Sequence, residues 1–283
     1  MKLVTYLQNG KEAVGVLSVD GSVVRPLPFA DMNALIEAPR EQLLTAAEAA
    51  QDALPLSAVT LLAPIPRPRQ DIICLGMNYR DHLTEAANYD SAFAKERPVT
   101  VYFSKRVSQA VAPEGFIERH ADLTNRLDYE NELAVIIGKS AKNVKAADAA
   151  DYIFGYTIVN DVSAREVQTS HKQFYFGKGL DGFTPMGPCI TTADEIAFPP
   201  ALRISSRVNG EPRQDSTTDL LITSIADIIE ELSSGMTLLP GTIIATGTPA
   251  GVGMGFDPPK FLKPGDVVEC TIAGIGTLRN TVL

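Results

Sequence analysis

Apolar and polar positions along the chain alternate in short runs for most of its length. Residues 3–7, 14–19 and 22–25 read as strands separated by Asn9-Gly10 and Asp20-Gly21. Those dipeptides supply the positive φ values that tight hairpin turns require, so the spacing predicts a small antiparallel meander. A stretch rich in Ala, Leu and Glu at 41–54 predicts a helix. Pro64, Pro66 and Pro68 then fall within five residues, which excludes helix and sheet interior alike and marks a linker. The chain is thereby divided into a small N-terminal α+β module, residues 1–64, and a main domain, residues 71–283.

Beyond the linker the pattern stays strand-like, at 99–104, 130–137, 156–160 and 241–246. The clearest helix is 225–234, where Ile225, Ile228, Ile229 and Leu232 fall on one face. Ser224 is its N-cap candidate, with Asp227 three residues on, and Gly235 is its stop. Strands outnumber helices and do not alternate with them regularly. That predicts a β-rich α+β fold centred on a mixed β-roll or sandwich, not a doubly wound sheet.

Composition narrows the classes. With 45% apolar and 21% charged residues the chain matches ordinary globular proteins, and no apolar run approaches the roughly 18–20 residues a membrane span needs. Residues 1–7 give way at once to Gln8-Asn9-Gly10, without a signal core, so a cytoplasmic location is expected. The net charge of −9, with no Lys/Arg stripe, argues against nucleic acid as a partner. A small anion remains a suitable ligand, because a few local cations set the field inside a cleft. Cys74, Cys189 and Cys270 stand far apart without a C-x-x-C pair and read as buried, inert thiols.

Three segments carry candidate chemistry. In Asp128-Tyr129-Glu130-Asn131-Glu132, the two glutamates share a strand face at the end of an apolar run. Side-by-side carboxylates repel, and a divalent cation relieves this; an all-oxygen site favours Mg²⁺, Mn²⁺ or Ca²⁺ over zinc. A solvent-facing strand edge is the alternative. Asn160-Asp161 ends a second apolar strand, and Asp161 suits either a third metal ligand or a helix N-cap; Arg165 and Gln168 follow within reach of a bound carboxylate or carbonyl. In the segment Asn78-Tyr79-Arg80-Asp81-His82-Leu83-Thr84-Glu85, His82 and Glu85 share a helix face, so the carboxylate can orient the imidazole as a general base. An ordinary surface pair would have the same spacing. His120 and His171 lack such a partner and read as surface residues.

Taken in order, these segments, with the G-K-G-L-D-G-F-T-P-M-G-P run at 177–188 and the G-T-P-A-G-V-G run at 247–253, resemble the fumarylacetoacetate hydrolase family from about Asp71 onward. The resemblance implies the β-roll of that family, a homodimer, and a divalent metal, Mg²⁺ or Mn²⁺ with Ca²⁺ as a substitute, on Glu130, Glu132 and Asp161. It implies a His82/Glu85 dyad on a mobile lid and Lys178 beside the substrate. Gln168, Gly247 and Thr248 would contact substrate, with Arg165 and Asp181 supporting the site. Members acting on fumarylacetoacetate itself carry a further metal-binding acid shortly before the histidine. Cys74-Leu75-Gly76-Met77 has none, which points to a simpler 2-oxo acid.

The expected reaction is metal-dependent hydrolysis of a carbon–carbon bond in a small β-diketo, acylpyruvate-type 2-oxo acid. Isomerisation or decarboxylation of 2-oxo or 2-hydroxydienoic diacids is the alternative, since all three share enolate chemistry. A noncatalytic metal or small-molecule binder is the alternative from another class, and the general-base pair and Lys178 speak against it. The glycine-rich tract 247–255 is followed by Phe256-Asp257-Pro258-Pro259 and opens no helix, so it reads as a backbone-lined substrate loop and not a nucleotide site.

Overall fold

A computed structural model describes residues 1–89 and 99–283. Among these, eleven strands form one mixed sheet, and a five-stranded sheet packs beside it. The large sheet runs from the N-terminal meander, Lys2–Gln8, Lys11–Leu17 and Val23–Leu27, into Met186–Thr192, Ile153–Asn160, Asn131–Ile137, Ile243–Ala245, Ile72–Gly76 and Val101–Lys105. The join is antiparallel, with Lys2 opposite Thr191 and Leu3 opposite Ile190. The N-terminal strands thus belong to the same sheet as the strands between Ile72 and Ala245.

Asn131–Ile137 lies near the middle of that sheet and is buried along its whole length. Its Leu133, Val135 and Ile137 enter one hydrophobic core, while Ala134 and Ile136 enter a second on the opposite face. A strand covered on both faces reads as a continuous apolar run instead of an alternating one, which is the sequence seen here. Any polar group at its end is therefore held away from water.

The expected helix at 41–54 forms as Arg40–Ala49, and the chain then turns extended at Leu54–Pro55, where it pairs with the meander. A short helix at Met32–Glu37, capped by the Asp31 side chain on Ala34 N–H, had no clear periodic signal. The helix Ile225–Gly235 follows its sequence signature, with the Ser224 hydroxyl accepting from Asp227 N–H. All three cysteines are buried and unpaired. No helix among the described residues is long and apolar enough to cross a membrane.

Candidate active site

Strand register builds the acidic centre. Antiparallel pairing sets Asn131 opposite Asn160, so the residues just outside that pair, Glu130 and Asp161, meet. Asp161 N–H donates to Glu130 O at 2.8 Å, and Glu130 N–H donates to Asn160 Oδ1 at 3.0 Å. Glu132 follows Glu130 by the two-residue period of the strand and projects to the same side. One carboxylate oxygen from each of Glu130, Glu132 and Asp161 lies within 4.8 Å of the others, and all three residues are buried. Burial removes the solvent-facing alternative for the glutamates. Asp161 caps no helix either, since the helix Arg165–Ser170 begins after Ala164 without a side-chain cap.

Three buried cations hold this centre. Lys178 Nζ donates to Glu130 Oε2 at 2.7 Å and to Asp161 Oδ2 at 2.9 Å. Lys105 Nζ donates to Asp161 Oδ1 at 2.7 Å and to Val162 O at 3.1 Å. Arg165 pairs through Nη1 with Glu130 Oε1 at 2.7 Å and through Nε with Asp128 Oδ2 at 2.9 Å. Burial alone would push the Glu130 carboxyl up, but Lys178 and Arg165 overcome it and hold the group at about 2.

Glu132 differs. It accepts Gly247 N–H at 2.8 Å and has no Lys, Arg or His within ion-pair distance among the described residues. Burial, then the charges of Asp161 and Glu130, push its carboxyl well above the usual range. Four buried carboxylates, with Asp128 included, thus face three buried cations, and the uncompensated charge falls on Glu132. An octahedral ion with oxygens about 2.1 Å away spaces its ligand oxygens about 3 to 4.2 Å apart. Oxygens within 4.8 Å reach that spacing by small side-chain shifts, so the buried triad is able to bind a divalent metal.

The dyad borders a small cavity, which His82 helps to line. After the strand Ile72–Gly76, Met77 adopts φ +56°, a left-handed turn that aims the helix Arg80–Tyr89 over the cavity. Asn78 pins that turn, its Nδ2 donating to Thr246 O at 2.8 Å and its Oδ1 accepting Thr223 N–H at 2.7 Å. His82 is buried, with Nδ1 3.0 Å from Glu85 Oε2, and Glu85 Oε1 accepts Gly251 N–H at 2.9 Å. The pair is therefore built into the interior and is no surface contact. With Nδ1 engaged, Nε2 is the imidazole nitrogen left to exchange a proton.

His82, Glu130, Arg165, Gln168, Lys178 and Thr248 line the cavity together, facing an apolar wall that includes Leu75, Phe103 and Met254. Glu85 and Asp161 stand directly behind that lining, bonded to His82 and Lys178, and Glu132 lies beside Glu130 and Asp161. Gly247, at φ +97°, spends its amide on Glu132 and does not line the cavity. The Thr248 hydroxyl is already committed, donating to Asn131 O at 2.9 Å and accepting from Gln214 Nε2 at 2.7 Å. Asp181 is exposed and lies apart in a surface groove with Glu118, where its carbonyl bonds His120 Nε2 at 2.7 Å.

Sequence reasoning assigned no role to Lys105 or Asp128. Lys105 ends an edge-strand run, a place where lysine ordinarily reaches water. Asp128 precedes Glu130 by two residues, but it lies on a separate short strand, Leu127–Asp128, paired with Ser163–Ala164. Its carboxylate takes Gly253 N–H at 2.6 Å and Met254 N–H at 3.0 Å besides Arg165.

Comparison with known proteins agrees with this geometry. The profile of the fumarylacetoacetate (FAA) hydrolase C-terminal domain matches residues 71–283. Oxaloacetate tautomerase YisK of Bacillus subtilis is 49% identical over 227 residues, covering 80% of this chain and 74% of that protein. Among solved structures, a fumarylacetoacetate hydrolase of Exiguobacterium antarcticum is 41% identical with a TM-score of 0.86, covering 100% of this chain and 99% of that one. The 2-hydroxyhepta-2,4-diene-1,7-dioate isomerase of Mycobacterium marinum is 35% identical with a TM-score of 0.80, covering 100% and 98%. A β-rich mixed-sheet fold, a buried acidic triad and a profile match over most of the length lead to one assignment: the chain belongs to the fumarylacetoacetate hydrolase family.

Proposed function

We propose that this enzyme is a metal-dependent tautomerase or isomerase of small 2-oxo acids, moving a proton between the 2-oxygen and C3 without breaking the carbon skeleton. The observation that carries the reading is the division of labour in the cavity wall. Lys178, Arg165 and Glu130 are locked in mutual ion pairs, which leaves His82, among the described lining residues, as the group suited to both accept and donate a proton. The names borne by the tautomerase and isomerase relatives favour this reading over the hydrolytic one expected from sequence.

Glu130, Glu132 and Asp161 would hold a divalent cation, which would supply Lewis-acid polarisation of a 2-oxo group. The chain's own residues do the rest. Lys105 and Lys178 bond Asp161, and Lys178 with Arg165 holds the Glu130 carboxyl down, in a site shielded from water. Gln168 Oε1 accepts from Arg165 Nη1 at 3.0 Å, which leaves its amide N–H to meet a substrate oxygen. His82 Nε2 takes the enol proton and returns a proton to C3, so one hydroxyl proton is lost, one C–H is gained, and nothing else changes. Glu85 holds the imidazole tautomer in place for both halves of the transfer.

A panel of oxaloacetate, acetylpyruvate and a dienoic 2-oxo diacid, each with and without Mg²⁺, tests the reading. Enol–keto conversion or double-bond migration should be the fastest Mg²⁺-dependent process. Faster cleavage of acetylpyruvate to acetate and pyruvate would restore the hydrolase in its place.

A further inference from the structure

The glycine-rich tract 247–255 was expected to present its backbone to substrate; Thr248 and Met254 do line the cavity, yet four of the tract's amides go to the protein's own carboxylates. Gly247 N–H serves Glu132, Gly251 N–H serves Glu85, and Gly253 and Met254 N–H serve Asp128. Of these carboxylates, Glu85 alone arrives on a helix, Arg80–Tyr89, from across the cavity. What admits it is the residue closing the 3₁₀ turn Gly253–Gly255. A Cβ placed on Gly255 would lie 1.8 Å from Glu85 Oε1, 2.0 Å from its Cδ and 2.2 Å from its Cγ, where real Cβ contacts essentially never fall below 3.0 Å. Gly255 does not occupy the left-handed region and is itself exposed, so its backbone accepts any residue. The missing side chain is what it contributes.

We propose that Gly255 is a positioning residue: its bare Cα forms the seat that holds Glu85 on Gly251 N–H and, through Glu85, aims His82 into the cavity. This rests on the proton-transfer role given to His82 above. Any side chain at 255 displaces the Glu85 carboxylate, which then loses both Gly251 N–H and His82 Nδ1. The imidazole stays on its helix but loses the partner that fixes its tautomer and direction. The glycine tract is thereby a rack for carboxylates, with one of its members shaped by absence.

The test is a double-variant cycle of Gly255→Ala and Glu85→Ala, read both as Tm and as kcat and KM of the Mg²⁺-loaded enzyme on its best 2-oxo acid. Gly255→Ala should lower kcat about 10- to 100-fold, the scale on which loss of an orienting partner acts, with KM little changed. The double variant should match Glu85→Ala alone. Gly255→Ala should lower Tm by roughly 2 to 4 °C in the wild-type background and leave it unchanged in Glu85→Ala, where the overlap is gone. Wild-type kcat and Tm in Gly255→Ala, or losses that simply add in the double variant, would overturn the seat. Coupling in Tm with kcat untouched by both Glu85→Ala and His82→Ala would overturn the positioning role together with the role of His82.

Discussion

Glu132→Gln is expected to lower metal-dependent turnover by on the order of 10³-fold or more, the scale of several kcal/mol of lost Lewis-acid stabilisation. The same change should leave the metal-free protein at least as stable as wild type. Glu132 is a buried carboxylate that Asp161 and Glu130 repel, an effect Lys178 only partly offsets, and burying such a charge without an ion-pair partner is costly. Glutamine keeps the shape, and its carbonyl can still accept Gly247 N–H. A glutamate with a merely structural role would behave oppositely, destabilising the fold on replacement. Thermal melts separate the two: Mg²⁺ at 100 times its Kd stabilises wild type by about 2.7 kcal/mol, and that gain should vanish in Glu132→Gln.

His82→Ala is expected to cost about 10² to 10⁴ in kcat, the usual contribution of a positioned acid–base group. The Mg²⁺-induced rise in Tm should persist, because His82 faces the cavity and bonds Glu85, while the triad is held by Lys105, Lys178 and Arg165. Loss of metal binding in this variant would make the histidine a ligand. Retained turnover would move the proton transfer to another group.

Much of this centre was legible because it follows strand periodicity. Glu130 and Glu132 share a face by the period of two, and the Asn131–Asn160 register that joins them to Asp161 arises where two apolar strands end. His82 and Glu85 were legible by helical spacing. Other features depended on long-range packing. Burial of Glu130 and Glu132 could not be read from E-x-E, since the same motif suits a wet edge; it required both faces of Asn131–Ile137 to be covered. Lys105 was missed because its partners, Asp161 and the carbonyls of Val162 and Lys178, lie far along the chain. Asp181 was placed at the site by family resemblance, yet the chain carries it to an exposed groove. The glycine tract was read as a substrate loop because sequence shows where amides are free to turn, but not which acceptors come to meet them.

The most direct measurement is deuterium entry at C3 of a small 2-oxo acid in D₂O, followed by NMR together with a full inventory of carbon products. The Mg²⁺-loaded enzyme should accelerate exchange over the enzyme-free rate with the skeleton intact, and EDTA or Glu132→Gln should abolish the acceleration. Cleavage products without accelerated exchange, or exchange indifferent to EDTA, would contradict a metal-dependent proton transfer at this site.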